Sequence, residues 1–278
     1  MERFVTVAPD VDLWVEERGD PGAPAVLLVM GAASSGLVWP DALVDRLAAG
    51  YRVVRYDHRD TGRSARGTTY ALRDLATDAV GVLDGLGIDR AHVVGMSMGG
   101  LLTQLLLLDH LERLRSATLV CTGPLVGAPG DPAPGPSDDL LAFWATMPEP
   151  RDDESELAWR VEHWRRLNGD QLEVDPAEWV ALEQRVSEHS GGLLPATPHA
   201  MADQSGLARG AEQARVDVPV LVVQAPADPA YPPPNAQRLA DAIGGARLVT
   251  VPGMGHALPP AVLGPLADVV EDHLAGGR

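Results

Sequence analysis

The chain has 278 residues, of which 45% are hydrophobic and 22% are charged, which is enough to build the core of one large domain. The formal net charge of −17 at pH 7 argues against binding nucleic acid or an anionic membrane through a broad electrostatic patch. The single cysteine, Cys121, excludes an internal disulfide framework, and we expect it to be a buried structural thiol. Neither a secretory leader nor an apolar run of roughly 20 residues is visible, which predicts a cytoplasmic location without a membrane span.

Strands and helices are predicted to alternate through the first half of the chain. Short apolar runs predict strands at residues 3–8, 11–17, 25–30, 51–56, 91–96 and 116–121. Stretches of helix length lie between the later runs, at residues 40–49, 72–86 and 98–108. The near-continuous apolar character of the third to fifth strands is typical of strands buried on both faces of a parallel sheet. We therefore predict the α/β class, with a mostly parallel, doubly wound sheet.

The alternation is interrupted after the sixth predicted strand. Residues 123–136 are too rich in proline and glycine to form a regular element. The segment 137–210 has helical patches and contains four of the six tryptophans. The alternation then resumes with predicted elements at 219–225, 234–243, 246–251 and 260–274. We therefore predict an inserted helical cap between two segments of one core, with the core at residues 1–123 and 213–278 and the cap at residues 124–212.

The strongest local motif is Gly95-Met96-Ser97-Met98-Gly99, which lies between a predicted strand and a predicted helix. A serine on such a tight turn has its Oγ pushed out of the sheet, and the flanking glycines relieve the crowding. The following helix N-terminus supplies backbone N–H groups and a positive dipole end beside a developing oxyanion. The context predicts that Ser97 is a nucleophile; the alternative is a purely structural turn serine.

A nucleophilic serine needs a base and an acid that orients this base. At a serine elbow of this kind the partners follow in the chain order Ser, Asp or Glu, then His, in loops after late strands. Asp228 follows the strand at 219–225, and His256 lies in a glycine-flanked loop after the strand at 246–251. Among the eight histidines, only His256 has such a place near the end of the chain. No carboxylate directly follows Cys121, where a rival acid would stand, so we predict Asp228 as the acid rather than as a turn former before proline.

An oxyanion hole at this elbow needs two backbone N–H donors. One belongs to the residue after the nucleophile, which is Met98, and the other to the loop after the third strand, where Ala32 is the expected donor. Metal-ligand spacings such as HExxH or CxxC are absent from the sequence, as are the glycine motifs that bind phosphates. We therefore expect neither a metal ion nor a cofactor.

Five segments of the core resemble the α/β-hydrolase family and, within it, the aclacinomycin methylesterase family of the anthracycline pathways. These segments are VMGA at 29–32, YDHRDTGRS at 56–64, AHVVGMSMGG at 91–100, LVVQAPADP at 221–229 and VPGMGHALP at 251–259. The resemblance extends more loosely into the cap at 161–169. It implies the α/β-hydrolase fold and a serine carboxylesterase that removes a methyl ester from a tailored aromatic polyketide. The family's nucleophile, acid and base correspond to Ser97, Asp228 and His256, and its oxyanion donors to Ala32 and Met98.

The same elbow serves other reactions, so the sequence leaves alternatives open. A thioesterase, a C–C bond hydrolase and a cofactor-free perhydrolase all fit the motifs, and a ligand-binding receptor on the same fold is the alternative from another class. In the cap, we name four candidate contacts for a small, hydrophobic ester, namely Trp144, Met147, Trp164 and Met201. The cap tryptophans could equally serve to pack the cap helices against one another. The oligomeric state is left open.

Overall fold

One sheet of eight strands organises the residues that the computed structural model describes, which are 1–67, 69–130, 132–195 and 197–276. The strands are β1 Glu2–Ala8, β2 Val11–Arg18, β3 Ala25–Val29, β4 Arg52–Tyr56, β5 Ala91–Met96, β6 Leu114–Val120, β7 Val220–Gln224 and β8 Arg247–Thr250. The helices are α1 Asp41–Ala48, α2 Leu72–Gly85, α3 Met98–Asp109, α4 Asp138–Trp144, α5 Asp153–Leu167, α6 Pro176–Ser190, α7 Thr197–Met201, α8 Asn235–Ala242 and α9 Pro260–Gly276.

The strand order across the sheet is β1-β2-β4-β3-β5-β6-β7-β8. The first two strands form an antiparallel hairpin, and β2 also pairs with β4 in an antiparallel manner. The five pairs that follow, from β4–β3 to β7–β8, are parallel. Parallel neighbours cannot be joined by tight turns and need crossover connections, which the helices supply. The predicted mostly parallel α/β sheet is confirmed.

Helices cover both faces of the sheet, and successive residues of a strand face opposite layers. In β3, Leu27 belongs to the apolar core formed with α2, α3 and α8. Its neighbours Val26 and Leu28 belong to the second core, formed with α1 and α9. Because both faces are buried, β3 is apolar throughout and does not alternate with polar residues.

The observed element bounds lie within about two residues of the predicted ones, the usual scatter of helix and strand ends. The strand β6 begins at Leu114 rather than at the predicted residue 116, because Leu114 still pairs with Ala91 across a register shift. In the described part of residues 123–136 there is neither a helix nor a strand, as the proline and glycine content predicts. Among the described residues, no helix combines the length and the apolar character needed for a bilayer span.

The helices α4 to α7 lie between β6 and β7 in sequence, in the segment for which a cap is predicted. The helices α5 and α6 each begin after an aspartate that caps the helix. The Asp152 side chain accepts the Ser155 backbone N–H, and the Asp175 side chain accepts the Ala177 backbone N–H. The helices α5 and α6 pack side by side. Trp164 of α5 stacks on Trp179 of α6, with ring centroids 6.0 Å apart.

A hydrogen bond to a buried carboxylate joins this segment to the core. Asp57, which follows β4, is fully buried and lies 2.7 Å from the Nε2 atom of His189 in α6. The same carboxylate accepts hydrogen bonds from the Ser35 hydroxyl and from the backbone N–H groups of Gly36 and Arg63. Burial alone would raise the pKa of Asp57, but the His189 contact and the other donors outweigh burial and hold the pKa below its usual value.

We expect the substitution Asp57→Ala to lower the free energy of unfolding by about 3–5 kcal/mol, because it leaves His189 and three other donors without their buried acceptor. Denaturant unfolding checks this. As a control, Glu162→Ala removes the partly exposed partner of Arg165 and Arg166 and should cost no more than about 1 kcal/mol. Equal costs for the two substitutions would contradict the role given to Asp57.

Candidate active site

Ser97 occupies the turn between β5 and α3 with a backbone conformation that is unusual for a side-chain-bearing residue. Its φ of 57° and ψ of −122° lie outside the regions that such residues normally populate. The Ser97 N–H donates to the Val120 carbonyl at 3.0 Å, which ties the turn to the end of β6. Strain of this kind persists only where the surrounding structure holds it, and it is typical of functional sites.

Close backbone packing explains both glycines that flank Ser97. A Cβ at Gly95 would fall 2.2 Å from the Thr103 Oγ1 atom and 2.3 Å from the Gly99 carbonyl oxygen. A Cβ at Gly99 would fall 2.1 Å from the Val29 carbonyl oxygen, in the neighbouring strand β3. The strand, the turn and the helix therefore meet more closely than any side chain permits.

Asp228 and His256 form a buried hydrogen-bonded pair in loops that follow β7 and β8. The Nδ1 atom of His256 lies 2.8 Å from the Asp228 Oδ2 atom, and the two residues are 6% and 3% exposed. The other carboxylate oxygen accepts the backbone N–H groups of Ala230 and Tyr231, each at 2.8 Å. Burial alone would raise the pKa of Asp228, but His256 and the backbone donors outweigh burial and hold this pKa below its usual value. The carboxylate is thus ionised at neutral pH and orients the imidazole.

Cys121 is buried, as expected, and lies beside this pair. Its Sγ atom and the side-chain ligand atoms of Asp228 and His256 all lie within 4.8 Å of one another. Burial, with the neighbouring Asp228 charge, raises the pKa of the thiol well above its usual value, and the thiol donates to the Gly255 carbonyl at 3.3 Å. The Asp228 carboxylate and the His256 imidazole are already hydrogen-bonded to each other, so this set of side chains does not fit a resident metal ion.

The predicted oxyanion loop lies against Ser97. A Cβ at Gly31 would lie 3.2 Å from the Ser97 Cβ and 3.6 Å from its Oγ, so the backbone after β3 reaches Ser97. Ala32 follows in this loop, and Met98 is the first residue of α3. Among the described residues, neither backbone N–H donates to an acceptor.

These contacts bring the predicted catalytic residues to one edge of the sheet. The Ser97 backbone N–H is hydrogen-bonded to the Val120 carbonyl, and Cys121, which follows Val120, lies beside Asp228 and His256. Within the described part of the chain, no hydrogen bond joins the Ser97 Oγ atom to His256.

The cap residues named as substrate contacts fall in different places. Trp144 and Trp164 belong to one aromatic cluster, in which the Trp144 indole N–H donates to His163 Nε2 at 2.8 Å and the His163 ring stacks on Trp164. Met147 is half-buried beyond the end of α4. Met201 is 82% exposed in α7, so the structure does not bring it to the cluster.

Three cap histidines that sequence reasoning set aside have buried contacts. His163 links the aromatic cluster, and burial, with further contributions from the neighbouring His256 and Arg160, lowers its pKa to about 4. Its spacing of four residues from Trp159 on α5 could have suggested a shared helix face. His189 and His199 contact core loops that are distant in sequence, and no local pattern indicates these contacts.

The C-terminal end of α5 contacts both of the loops that carry Asp228 and His256. The His256 backbone N–H donates to the Leu167 carbonyl at 2.6 Å. A Cβ at Gly255 would fall 2.0 Å from the Asn168 carbonyl oxygen, and a Cβ at Gly169 would fall 2.3 Å from the Ala227 carbonyl oxygen. The end of α5 therefore packs directly against the backbone of the loops from which Asp228 and His256 project.

The serine elbow, the buried acid–base pair and the eight-stranded sheet define the class of this protein. The family described as the alpha/beta hydrolase fold matches residues 24–259, and the chain belongs to this family. Within it, the chain is 44% identical over 283 residues to the rhodomycin D methylesterase DauP of Streptomyces sp. (strain C5), covering 95% of both chains. It is 43% identical, with the same coverage, to the rhodomycin D methylesterase DnrP of Streptomyces peucetius.

More distant proteins share the architecture. The chain is 32% identical to a putative carbamate hydrolase RutD of Variovorax paradoxus, covering 88% of this chain and 89% of that protein. The structure of the esterase RhEst1 from Rhodococcus sp. ECU1013 superposes with a TM-score of 0.82 at 20% identity, covering 100% of this chain and 99% of the other. At that identity the likeness concerns the fold alone.

We expect Asp228→Asn to lower kcat for a nitrophenyl ester by about 10⁴ at neutral pH, because the amide no longer holds the imidazole in the tautomer whose Nε2 accepts a proton. Steady-state kinetics on folded protein check this. The exposed carboxylate of Asp241 in α8 provides a matched control, since Asp241→Asn should leave kcat unchanged. An Asp228→Asn enzyme that keeps a tenth or more of the activity would refute the acid role.

Proposed function

We propose that this protein is a serine carboxylesterase that hydrolyses a methyl ester of an anthracycline-type aromatic polyketide. The observation that carries the proposal is the meeting of a strained serine elbow with a buried Asp–His pair, in a chain that matches two rhodomycin D methylesterases over almost their full length. The elbow and the pair support the chemistry, and the relatives support the substrate class. The net charge of −17 supports a small-molecule ester over a nucleic acid as the partner.

In the first step, His256 accepts the Ser97 hydroxyl proton at Nε2 while the Ser97 Oγ attacks the ester carbonyl carbon. Asp228 remains ionised, holds Nδ1–H and stabilises the imidazolium that forms. The Ala32 and Met98 backbone N–H groups bind the oxyanion of the tetrahedral intermediate. A donor in such a hole typically contributes about 10²–10³ in kcat.

Collapse of the tetrahedral intermediate breaks the bond between the carbonyl carbon and the methoxy oxygen. His256 returns its proton to that oxygen, so methanol leaves and the acyl group stays on Ser97. A water molecule then gives a proton to His256 and attacks the acyl carbon. The second tetrahedral intermediate releases the free acid, and Ser97 regains its proton.

We further propose that residues 124–212 act as a cap whose aromatic cluster, defined as Phe143, Trp144, Trp159, His163 and Trp164, binds the flat polycyclic part of the substrate. Phe143 and Trp159 stack with their centroids 4.8 Å apart and an interplanar angle of 10°. The cluster belongs to α4 and α5, and α5 ends at Leu167, whose carbonyl accepts the His256 backbone N–H, which supports a place near His256. Aromatic faces of this kind favour offset stacking with another ring system. In this arrangement Trp144 and Trp164 are substrate contacts, whereas the contributions of Met147 and Met201 rest on the sequence prediction alone.

The direct test is incubation of the enzyme with an anthracycline methyl ester in water enriched in ¹⁸O, followed by mass analysis of the product. We expect the free acid with one ¹⁸O atom in the carboxyl group, because water attacks the acyl carbon of the acyl-enzyme. Ser97→Ala should lower kcat by at least about 10⁴, since the nucleophile is removed.

The same assay includes the matching ethyl ester, a thioester and a β-diketone as competing substrate classes. Preference for the thioester or the β-diketone, with the methyl ester left intact, would overturn the methylesterase proposal. Saturable binding of the methyl ester without turnover would instead favour the receptor alternative.

We expect Trp144→Ala to raise KM for the anthracycline methyl ester about 5–10-fold, the size of one lost aromatic contact, with little change in kcat. The KM for a small acyl ester should stay within about twofold, because such a substrate does not reach the cluster. Trp144→Phe keeps an aromatic ring and loses the hydrogen bond to His163, so its KM for the anthracycline methyl ester should be closer to the wild-type value. An equal rise in KM for both esters after Trp144→Ala would rule out a specific stacking role.

A further inference from the structure

We propose that His199, contributed by the cap segment, is a positioning residue that holds the oxyanion loop in its active geometry. The inference rests on the proposed function, because it concerns how the same site stabilises the tetrahedral intermediate. His199 lies in α7 and contacts Ala33, which stands 166 residues earlier in the chain. It is 4% exposed and therefore lies between the cap and the core rather than in solvent.

Both ring nitrogens of His199 are bonded to backbone groups, and these bonds fix its tautomer. The Ala33 N–H donates to His199 Nδ1 at 2.8 Å, so Nδ1 must carry the lone pair. The Arg59 carbonyl lies 2.8 Å from Nε2, and because a carbonyl only accepts, Nε2 must carry the proton. Burial lowers the pKa of His199, which favours this neutral form.

The contact to Ala33 acts on the peptide unit next to the proposed oxyanion donor. The Ala32 N–H belongs to the peptide between Gly31 and Ala32. On one side of it, His58 Nε2 lies 3.0 Å from the Met30 carbonyl and anchors the preceding peptide. On the other side, His199 anchors the following peptide through the Ala33 N–H. The peptide that carries the donor is thus held between two fixed neighbours.

The loop needs such an anchor because its backbone is strained after the donor. Ala33 has a φ of 56°, in the left-handed region that an alanine rarely adopts. Without the acceptor on His199, the Ala33 N–H would be free to rotate toward a relaxed conformation, and the Ala32 N–H would turn with it. Preorganised donors stabilise an oxyanion only when they already point at its position. Through His199, the geometry of the oxyanion hole therefore depends on how the cap packs against the core.

The test separates the two hydrogen bonds of His199 with three substitutions. His199→Asn places Oδ1 near the position of Nδ1, so it can still accept the Ala33 N–H. His199→Gln places an amide N–H near the position of Nε2, so it can still donate to Arg59 but leaves Ala33 without its acceptor. His199→Leu removes both bonds. A matched control, His273→Gln, alters another buried histidine that bonds a carbonyl, that of Ala117, away from the site.

For hydrolysis of a nitrophenyl ester, we expect His199→Gln and His199→Leu to lower kcat by about 10–100-fold, below the effect of a lost oxyanion donor, with KM nearly unchanged. His199→Asn should stay within about threefold of wild type, and His273→Gln should keep its kcat. A trifluoromethyl ketone, which forms a tetrahedral adduct on serine, should lose affinity in the Gln and Leu variants in proportion to kcat. Thermal unfolding of each variant reports general damage.

Equal kcat values for the Asn and Gln variants, or losses that follow the unfolding temperature rather than the ketone affinity, would overturn the role of His199. If the wild-type enzyme hydrolyses esters in that experiment, the proposed function still stands and only the role of His199 is refuted. If the wild type hydrolyses no ester of any class, the proposed function itself fails, and the positioning role falls with it. The two failures are therefore distinguishable in one set of measurements.

Discussion

The structure depends on the close meeting of β3, β5 and α3 around Ser97. The Gly99 Cα lies so near the Val29 carbonyl that no side chain fits there, and Gly31 approaches Ser97 from the same direction. This packing holds the left-handed φ of Ser97, which would otherwise relax. The fully buried strands supply the rigidity, since their two faces are covered by separate apolar cores. The fold thus maintains a strained backbone at the point where a nucleophile is needed.

The segment between β6 and β7 is part of this arrangement. Three of its polar contacts with core loops come from three different helices or their ends. These contacts join Leu167 to His256, His189 to Asp57, and His199 to Ala33. A displacement of this segment would therefore disturb the loops that carry His256 and Ala32 together.

Burial sorts the titratable groups of the site into distinct protonation states. Asp228 is ionised because His256 and backbone donors outweigh its desolvation. In the described part of the chain, neither His163 nor His199 is hydrogen-bonded to a carboxylate, and burial lowers their pKa values and keeps them neutral. The Cys121 thiol stays protonated for the same physical reason. The ionised Asp228, hydrogen-bonded to His256, is the arrangement that the proposed acyl transfer requires.

The alternating α/β elements, the serine elbow and the loops that hold Asp228 and His256 could be predicted from the sequence, because each follows from a local pattern of apolar runs and glycines. Pairing those loops into a buried hydrogen bond required the parallel strand order, which brings the ends of β7 and β8 together. The contacts of His189 and His199 depend on the folded chain, because they join residues 132 and 166 positions apart. A lone histidine in a helix carries no local signal of its distant partner, so chain folding alone selects it.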